Sequence, residues 1–291
     1  MQLKGKNISF CIGSQKDLDK ISSIKSLPIF DKKILNFLET LSRCLLSSQS
    51  IRLYPDIAAF AFWIRKKGIE NIANKYQSDM LRLGRGVAFH ITPANIPIQF
   101  AVSLVYGMLS GNTNIVRISD KEFEEVDIIC NAINNILSMK EFEKVRSYIC
   151  VIRYGHDDEV TEYLSSISDV RLIWGGNNTI YNMRKFKTKP RTVELCFADR
   201  DSIAIINADK YLEARHDILA KDFYNDTYSV DQNACSSPRI IIWMGKKVEE
   251  AKSIFWNSLK TELREYDLPP LAGSEKLLQY CILAQDHNHI T

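Results

Sequence analysis

The sequence predicts an α/β fold, a mostly parallel sheet behind a helical lead-in, and three observations predict it. Short runs of strand-forming residues recur from Gly86 onward, at Gly86–Ile91, Asn114–Ile118, Tyr148–Arg153, Val170–Trp174 and Ser202–Ile206. Helical segments separate most of them, which is the rhythm of βαβ crossovers, each expected to be right-handed. The first 80 residues carry apolar side chains mostly at helical spacing.

Taken in order, Asp31–Leu46 has a stripe of Ile34, Leu35, Leu38, Leu41 and Leu45, which predicts one helix. Asp56 is placed to cap the next, whose first turns hold Ile57, Phe60, Phe62, Trp63 and Ile64. The rhythm changes after Gly84. Pro97–Leu109 reads as a helix with Pro97 near its first turn, where a missing N–H costs little. Phe123–Leu137 is an amphipathic helix, and Ile240–Trp243 is a further apolar strand. The expected organisation is a helical segment over 1–80, a nucleotide-binding α/β domain over 81–196, and a domain over 197–291 that holds a candidate nucleophile. The dinucleotide fingerprint G-x-G-x-x-G is absent, and Gly84-Arg85-Gly86 precedes a strand instead of following one.

Composition narrows the function classes. Of 291 residues, 45% are hydrophobic and 25% charged, ordinary for a globular chain able to bury a core without disulfides. A net charge of +3 with scattered Lys and Arg gives no case for nucleic acid. The seven cysteines, at 11, 44, 130, 150, 196, 235 and 281, are odd in number and show no C-x-x-C spacing. A disulfide framework or metal cluster is not expected, and a reducing, cytoplasmic compartment fits. Met1-Gln2-Leu3-Lys4-Gly5-Lys6 leads into no apolar run long enough for a signal peptide, and with no run of eighteen apolar residues a membrane span is not expected.

Four local features carry chemistry. Asp231-Gln232-Asn233-Ala234-Cys235-Ser236-Ser237-Pro238-Arg239 puts a cysteine in a polar loop just before a strand, a setting for a nucleophilic thiol. A small buried apolar residue is the alternative for Cys235. In Thr92-Pro93-Ala94-Asn95-Ile96-Pro97, two prolines stiffen a turn at a strand end and aim the Asn95 amide, which suits an oxyanion. Asparagine is also favoured in plain turns. Glu194, between Val193 and Leu195, is either an acid or base with a raised pKa or the partner of a nearby Lys or Arg. Trp174-Gly175-Gly176-Asn177 lets backbone approach a ligand at a helix start, or is simply a turn.

In this order the four resemble the aldehyde dehydrogenase superfamily, and more closely its acyl-CoA reductase branch, which includes the fatty-acid reductase subunit of bacterial luminescence. The resemblance spans residues 84–244. It rests on Gly86-Val87 through Asn95-Ile96-Pro97, on Leu109-Ser110-Gly111-Asn112-Thr113-Asn114-Ile115-Val116-Arg117-Ile118-Ser119, and on Trp174-Gly175-Gly176, Glu194-Leu195 and Gln232-x-x-Cys235 with Ser237-Pro238-Arg239. It implies an aldehyde-dehydrogenase-like fold, with a Rossmann-like cofactor domain and a partial α/β catalytic domain. It implies Cys235 as nucleophile, Asn95 with the Cys235 backbone N–H as oxyanion hole, and Glu194 at the position of the oxidisers' general base. Arg117 and Ser119 would lie by the adenosine ribose, where a cation suits the 2′-phosphate of NADPH, and Gly175 and Gly176 by the pyrophosphate.

The implied reaction is NADPH-dependent reduction of a long-chain fatty-acyl thioester to an aldehyde through acyl-Cys235. The implied partner is an acyl-protein synthetase or acyltransferase subunit, and a homo-oligomeric state stays open. Only residues 236–291 follow the nucleophile, ending at His289-Ile290-Thr291, so the chain is expected to be C-terminally truncated relative to the pattern. Two other readings stand beside the reductase. One is a cofactor-free Cys acyltransferase or thioesterase, for which His216 would have to lie near Cys235. The other is a catalytically silent binding protein.

Overall fold

The computed structural model describes residues 3, 6–76, 79–198, 200–228, 232, 234–268 and 270–286. The chain forms two compact units, Met1–Ala198 and Asp199–Thr291. The predicted motif residues Asp231 and Asn233, and the terminal His289–Thr291, lie outside the described residues.

The first unit is built on six strands, β1 (Ser9–Ile12), β2 (Val87–Ile91), β3 (Thr113–Ile118), β4 (Ile149–Arg153), β5 (Val170–Trp174) and β6 (Val193–Phe197). Their order across the sheet is β1-β4-β3-β2-β5-β6, with β1 antiparallel and the other five parallel. Helices Gln99–Leu109, Glu124–Leu137, Asp158–Ile167 and Asn177–Arg184 make the crossovers. All five residues of β2 are buried, as expected for a central parallel strand covered on both faces. One face packs Val116, Ile118 and Val151 against Phe100, Leu104, Ile129 and Ile133 and the helix Lys32–Ser47. The other packs Phe89, Ile115, Ile152 and Ile173 against Val160, Leu164, Ile180 and Met183.

The chain leaves β2 first to one side, through β3 and β4, and then to the other, through β5 and β6. The order reverses between β2 and β5. In open α/β sheets ligands bind at such a switch, outside the carboxyl ends of the strands. Here those ends are Ile91 with the proline turn, and Trp174 with Gly175-Gly176.

Two details differ from the sequence expectation. Asp56 is not the cap of its helix: Tyr54 is, and Pro55 takes the first helical position, which its fixed φ favours. The Asp56 carboxylate accepts from Ile57 N at 2.8 Å instead. The lead-in also contains β1, a four-residue edge strand with no alternating pattern long enough to announce it. The stripe predicted over Asp31–Leu46 is present in Lys32–Ser47, capped by Asp31, with Phe37 fully buried and Leu35 only partly so.

The second unit pairs β7 (Ser202–Asn207) with β8 (Pro238–Met244) in parallel. Ile206, Ile241 and Trp243 pack on Ala208, Tyr211, Ala251, Phe255 and Leu259 from two helices. The opposite face exposes Ile203, Ile205, Ile240, Ile242 and Met244, each more than 40% accessible.

Candidate active site

At the carboxyl end of β2, Thr92 ties the turn to β3 through two hydrogen bonds to Arg117 O, from N at 3.1 Å and from Oγ1 at 2.8 Å. Pro93 and Pro97 then bracket Asn95, which is exposed. Its amide has no hydrogen-bond partner among the described residues. The helix beyond starts at Gln99, two residues after Pro97. Thr92, Pro93 and Pro97 share a water-sized cleft with Ser119, so the turns after β2 and β3 are neighbours. Ser119 Oγ accepts from Lys121 N at 3.1 Å. Arg117 is held by a 3.2 Å bond to Tyr154 O and lies over the Tyr154 ring, 4.8 Å from its centroid. Its Nε is buried without a partner among the described residues.

On the other side of the switch, β5 ends at Trp174, whose indole stacks on Phe197 with ring centroids 3.7 Å apart. Gly175 follows, and a Cβ there would crowd Thr179 at 3.0 Å. Gly176 caps the helix Asn177–Arg184 and brings no side chain to its first N–H groups, so these remain available to an anion. Asn95, Arg117, Ser119, Gly175 and Gly176 thus all lie at or just beyond the carboxyl ends of three adjacent strands.

Glu194 does not share that edge. It is the second residue of β6, paired in register with Arg171, three positions short of Trp174 and Phe197. At about 3.3 Å per residue that is roughly 10 Å from the strand ends. Of the two roles open to it, the structure shows the ion pair: Arg171 Nη2 lies 2.5 Å from Oε2 and Arg184 Nε 2.6 Å from Oε1. Burial alone would raise its pKa. Hydrogen bonds from Arg184, Arg171 and the Cys196 thiol outweigh that and hold it below the usual carboxylate range. Arg171, 3% exposed, also donates to Met183 O at 2.9 Å.

A buried polar chain beneath the edge carries no motif and was not anticipated. Asn114 Nδ2 donates to Asn112 O at 2.9 Å and Tyr148 O at 3.2 Å, which leaves its Oδ1 as acceptor. His90 Nε2, 3.1 Å away, therefore carries the ring proton, and Nδ1 accepts from Ser103 Oγ at 2.7 Å. Ser103 in turn accepts from Trp174 Nε1 at 3.0 Å. Burial lowers the His90 pKa to about 4 against a smaller opposing effect of Asn114, so the imidazole is neutral at pH 7. The chain links β2, β3, β5 and the helix Gln99–Leu109, and it fixes the Trp174 ring at the switch. The polar His90 within an apolar strand was the only signal in the sequence. Beside it, Ser103, Tyr106, Leu172, Trp174, Leu195 and Phe197 line part of an open groove of about 480 Å³.

In the second unit, Cys235 is exposed in the turn before β8. Ser202 Oγ donates to Cys235 O at 2.8 Å, tying the loop to β7. Ser237, 1% exposed, donates to Asp226 O at 2.8 Å and, through its N–H, to Ala234 O at 3.0 Å. Gln232 adopts φ 62°, and its Oε1 accepts from Lys276. The thiol is thus presented to solvent from a loop anchored at both ends. His216, needed by the cofactor-free reading, lies against Tyr211 O at 3.1 Å and stacks on that ring. No helix among the described residues is long and apolar enough to cross a membrane.

The profile of a family described as acyl-CoA reductase (LuxC) matches residues 15–275. A long-chain acyl-protein thioester reductase of Aliivibrio fischeri is 25% identical over 185 residues, 62% of this chain and 36% of that protein. The chain therefore spans about a third of the length of the curated relatives it matches. Among solved structures, lactaldehyde dehydrogenase from Escherichia coli superimposes with a TM-score of 0.60 at 15% identity, over 90% of this chain and 61% of that one. NADP-dependent glyceraldehyde-3-phosphate dehydrogenase from Bacillus halodurans, complexed with NADP, gives 0.59 at 16% identity, over 84% and 55%. The expected aldehyde-dehydrogenase-like α/β fold is the observed one.

Proposed function

The chain belongs to the acyl-CoA reductase (LuxC) family, and from that membership we propose that it reduces a long-chain fatty-acyl thioester to the aldehyde, with Cys235 as the covalent nucleophile and NADPH as reductant. The observation that carries the reading is the exposed Cys235 thiol on a loop pinned by Ser202 and Ser237. A thiolate attacks a thioester carbonyl well, and the displaced thiolate leaves well.

In this reading Cys235 Sγ adds to the acyl carbon, the carbon–sulfur bond to the carrier thiol breaks, and acyl-Cys235 forms. Asn95 is assigned the oxyanion, because its exposed amide sits in a turn stiffened on both sides by proline and is not engaged elsewhere among the described residues. When bound, the nicotinamide supplies a hydride to the acyl carbon. A proton and the departing Cys235 sulfur complete the release of aldehyde and restore the thiol.

The residues at the sheet edge fit a dinucleotide. The first turn of Asn177–Arg184 offers uncapped N–H groups behind two glycines, which suits a pyrophosphate. The Arg117 guanidinium with its unpartnered Nε suits a further phosphate and favours NADPH. Glu194 is assigned to positioning: with both oxygens engaged by arginines, it links β5, β6 and the helix that follows Gly176. The domain reading is kept as a proposal, with a helical segment over 1–80, the cofactor domain over 81–196 and the nucleophile-bearing domain over 197–291. A partner synthetase or acyltransferase that delivers the acyl group, and a cytoplasmic location, belong to the same proposal.

The test is incubation with a long-chain acyl-CoA, peptide mass mapping of the adduct, and addition of NADPH. Acyl-Cys235 that disappears with release of aldehyde supports the reading. Adduct formation with no NADPH-dependent loss favours the acyltransferase. Nucleotide binding without an adduct favours the silent binding protein.

A further inference from the structure

The edge strand β1 carries an irregularity. Ser9 pairs with Arg153 and Phe10 with Ile152, but Ile12 pairs with Val151, so Cys11 is the extra residue of a β-bulge. A bulge re-aims a side chain. Cys11 and Ile12, adjacent in sequence, accordingly pack on the same core as the helix Glu124–Leu137, while Phe10 packs on the opposite one. On that helix Cys130, 4% exposed, belongs to the same core as Cys11, and the two thiols perturb each other's ionisation. Asn134, one turn further on, donates to Cys11 O at 2.8 Å and clamps strand to helix.

Charge singles out one sulfur. Arg153, from β4, faces the Cys11 thiol, and its Nε is buried with no hydrogen-bond partner among the described residues. Asp127 on the helix opposes it more weakly. The Cys130 S–H, and then Arg153, hold Cys11 below the ordinary thiol range against the cost of burial. Cys130 is pushed up by Cys11 and by burial. Cys150, on β4, is pushed up to about 12, chiefly by burial. Cys11 itself is only partly buried.

We propose that Cys11 and Cys130 form a peroxide-sensitive dithiol whose oxidation staples the edge strand to the helix Glu124–Leu137. The Cys11 thiolate attacks one oxygen of hydrogen peroxide. The O–O bond breaks, Cys11 becomes a sulfenic acid, and hydroxide leaves. The Cys130 sulfur then displaces that hydroxyl as water, loses its proton and forms the disulfide. Two electrons pass from the two sulfurs to the peroxide. A thiol reductant reverses the step. The bond closes a loop of more than 100 residues, the range in which a cross-link most constrains the unfolded chain.

The test uses the full chain with the three exposed cysteines replaced, Cys44→Ser, Cys235→Ser and Cys281→Ser, so that intermolecular bonds do not interfere. It is treated with stoichiometric hydrogen peroxide, alkylated and digested without reduction. The expected result is a linked pair of peptides containing Cys11 and Cys130. It comes with a rise in Tm of about 5 °C or more that dithiothreitol abolishes, and with slower oxidation of Cys11 in Arg153→Met by about threefold or more. If Cys130→Ser folds, Cys11 should accumulate as a sulfenic acid trapped by dimedone. If it does not fold, the peptide map of the Cys130-containing protein decides alone. Both thiols staying reduced, or Cys11 passing to sulfinic acid with no link to Cys130, would overturn the proposal.

Discussion

Acidification should expose the neutral His90 as a term in stability. In the fold its pKa is lowered to about 4 by burial, against an ordinary value of 6.5 in the unfolded chain. Between those values the unfolded chain takes up a proton that the folded one excludes. The stabilisation is complete above pH 6.5 and is lost as pH falls toward 4. A gap of about 2.5 pH units, at 1.36 kcal/mol each, is worth about 3 kcal/mol. Urea unfolding followed by tryptophan fluorescence at pH 7.0, 6.0, 5.0 and 4.5 measures it in the native chain and in His90→Gln. The native chain should lose about 2–3 kcal/mol more than the variant across that range. Carboxylates titrate in both proteins and drop out of the difference. The variant should also start about 1–3 kcal/mol lower at pH 7, because Ser103 or Asn114 loses a buried partner. Equal pH slopes in the two proteins would refute the account of His90.

Gly107→Ala should destabilise the first unit by about 3 kcal/mol or more, because its Cβ would fall 2.0 Å from Asn114 Oδ1 and 2.9 Å from the His90 ring; a thermal melt reads it. Glu194→Gln should cost about 3–5 kcal/mol in chemical denaturation, since it strips the buried Arg171 of its counter-charge. Arg184→Met, on the exposed side of the same pair, should cost about 1 kcal/mol or less. Asn95→Ala should leave Tm unchanged and slow aldehyde formation by about 10²–10³-fold if its amide holds the oxyanion.

The parallel strands were legible because each is a short apolar run set off by helical or turn residues. Val87–Ile91 and Val170–Trp174 could be bounded within a residue or so. β1 was not legible: with four residues and a bulge at Cys11, it has no period to read. Glu194 showed its apolar neighbours in sequence. Its arginines lie 23 and 10 positions away, and only the register of β5 with β6 and the turn of Asn177–Arg184 bring them to it. The His90 chain was hidden for the same reason, because Ser103, Asn114 and Trp174 reach it from three other elements. The exposure of Cys235 follows from local chemistry: the polar residues around it keep the loop at the surface, and Ser237 turns inward to anchor it.

The central claim is that the Cys235 sulfur carries the acyl group between carrier and aldehyde. Single-turnover mass spectrometry tests it most directly, with a radiolabelled long-chain acyl-CoA offered to the native chain and to Cys235→Ala. The account predicts label on the peptide containing Cys235, its discharge as aldehyde when NADPH is added, and no labelled peptide in the variant. Label on another cysteine, or aldehyde produced by Cys235→Ala, would contradict it.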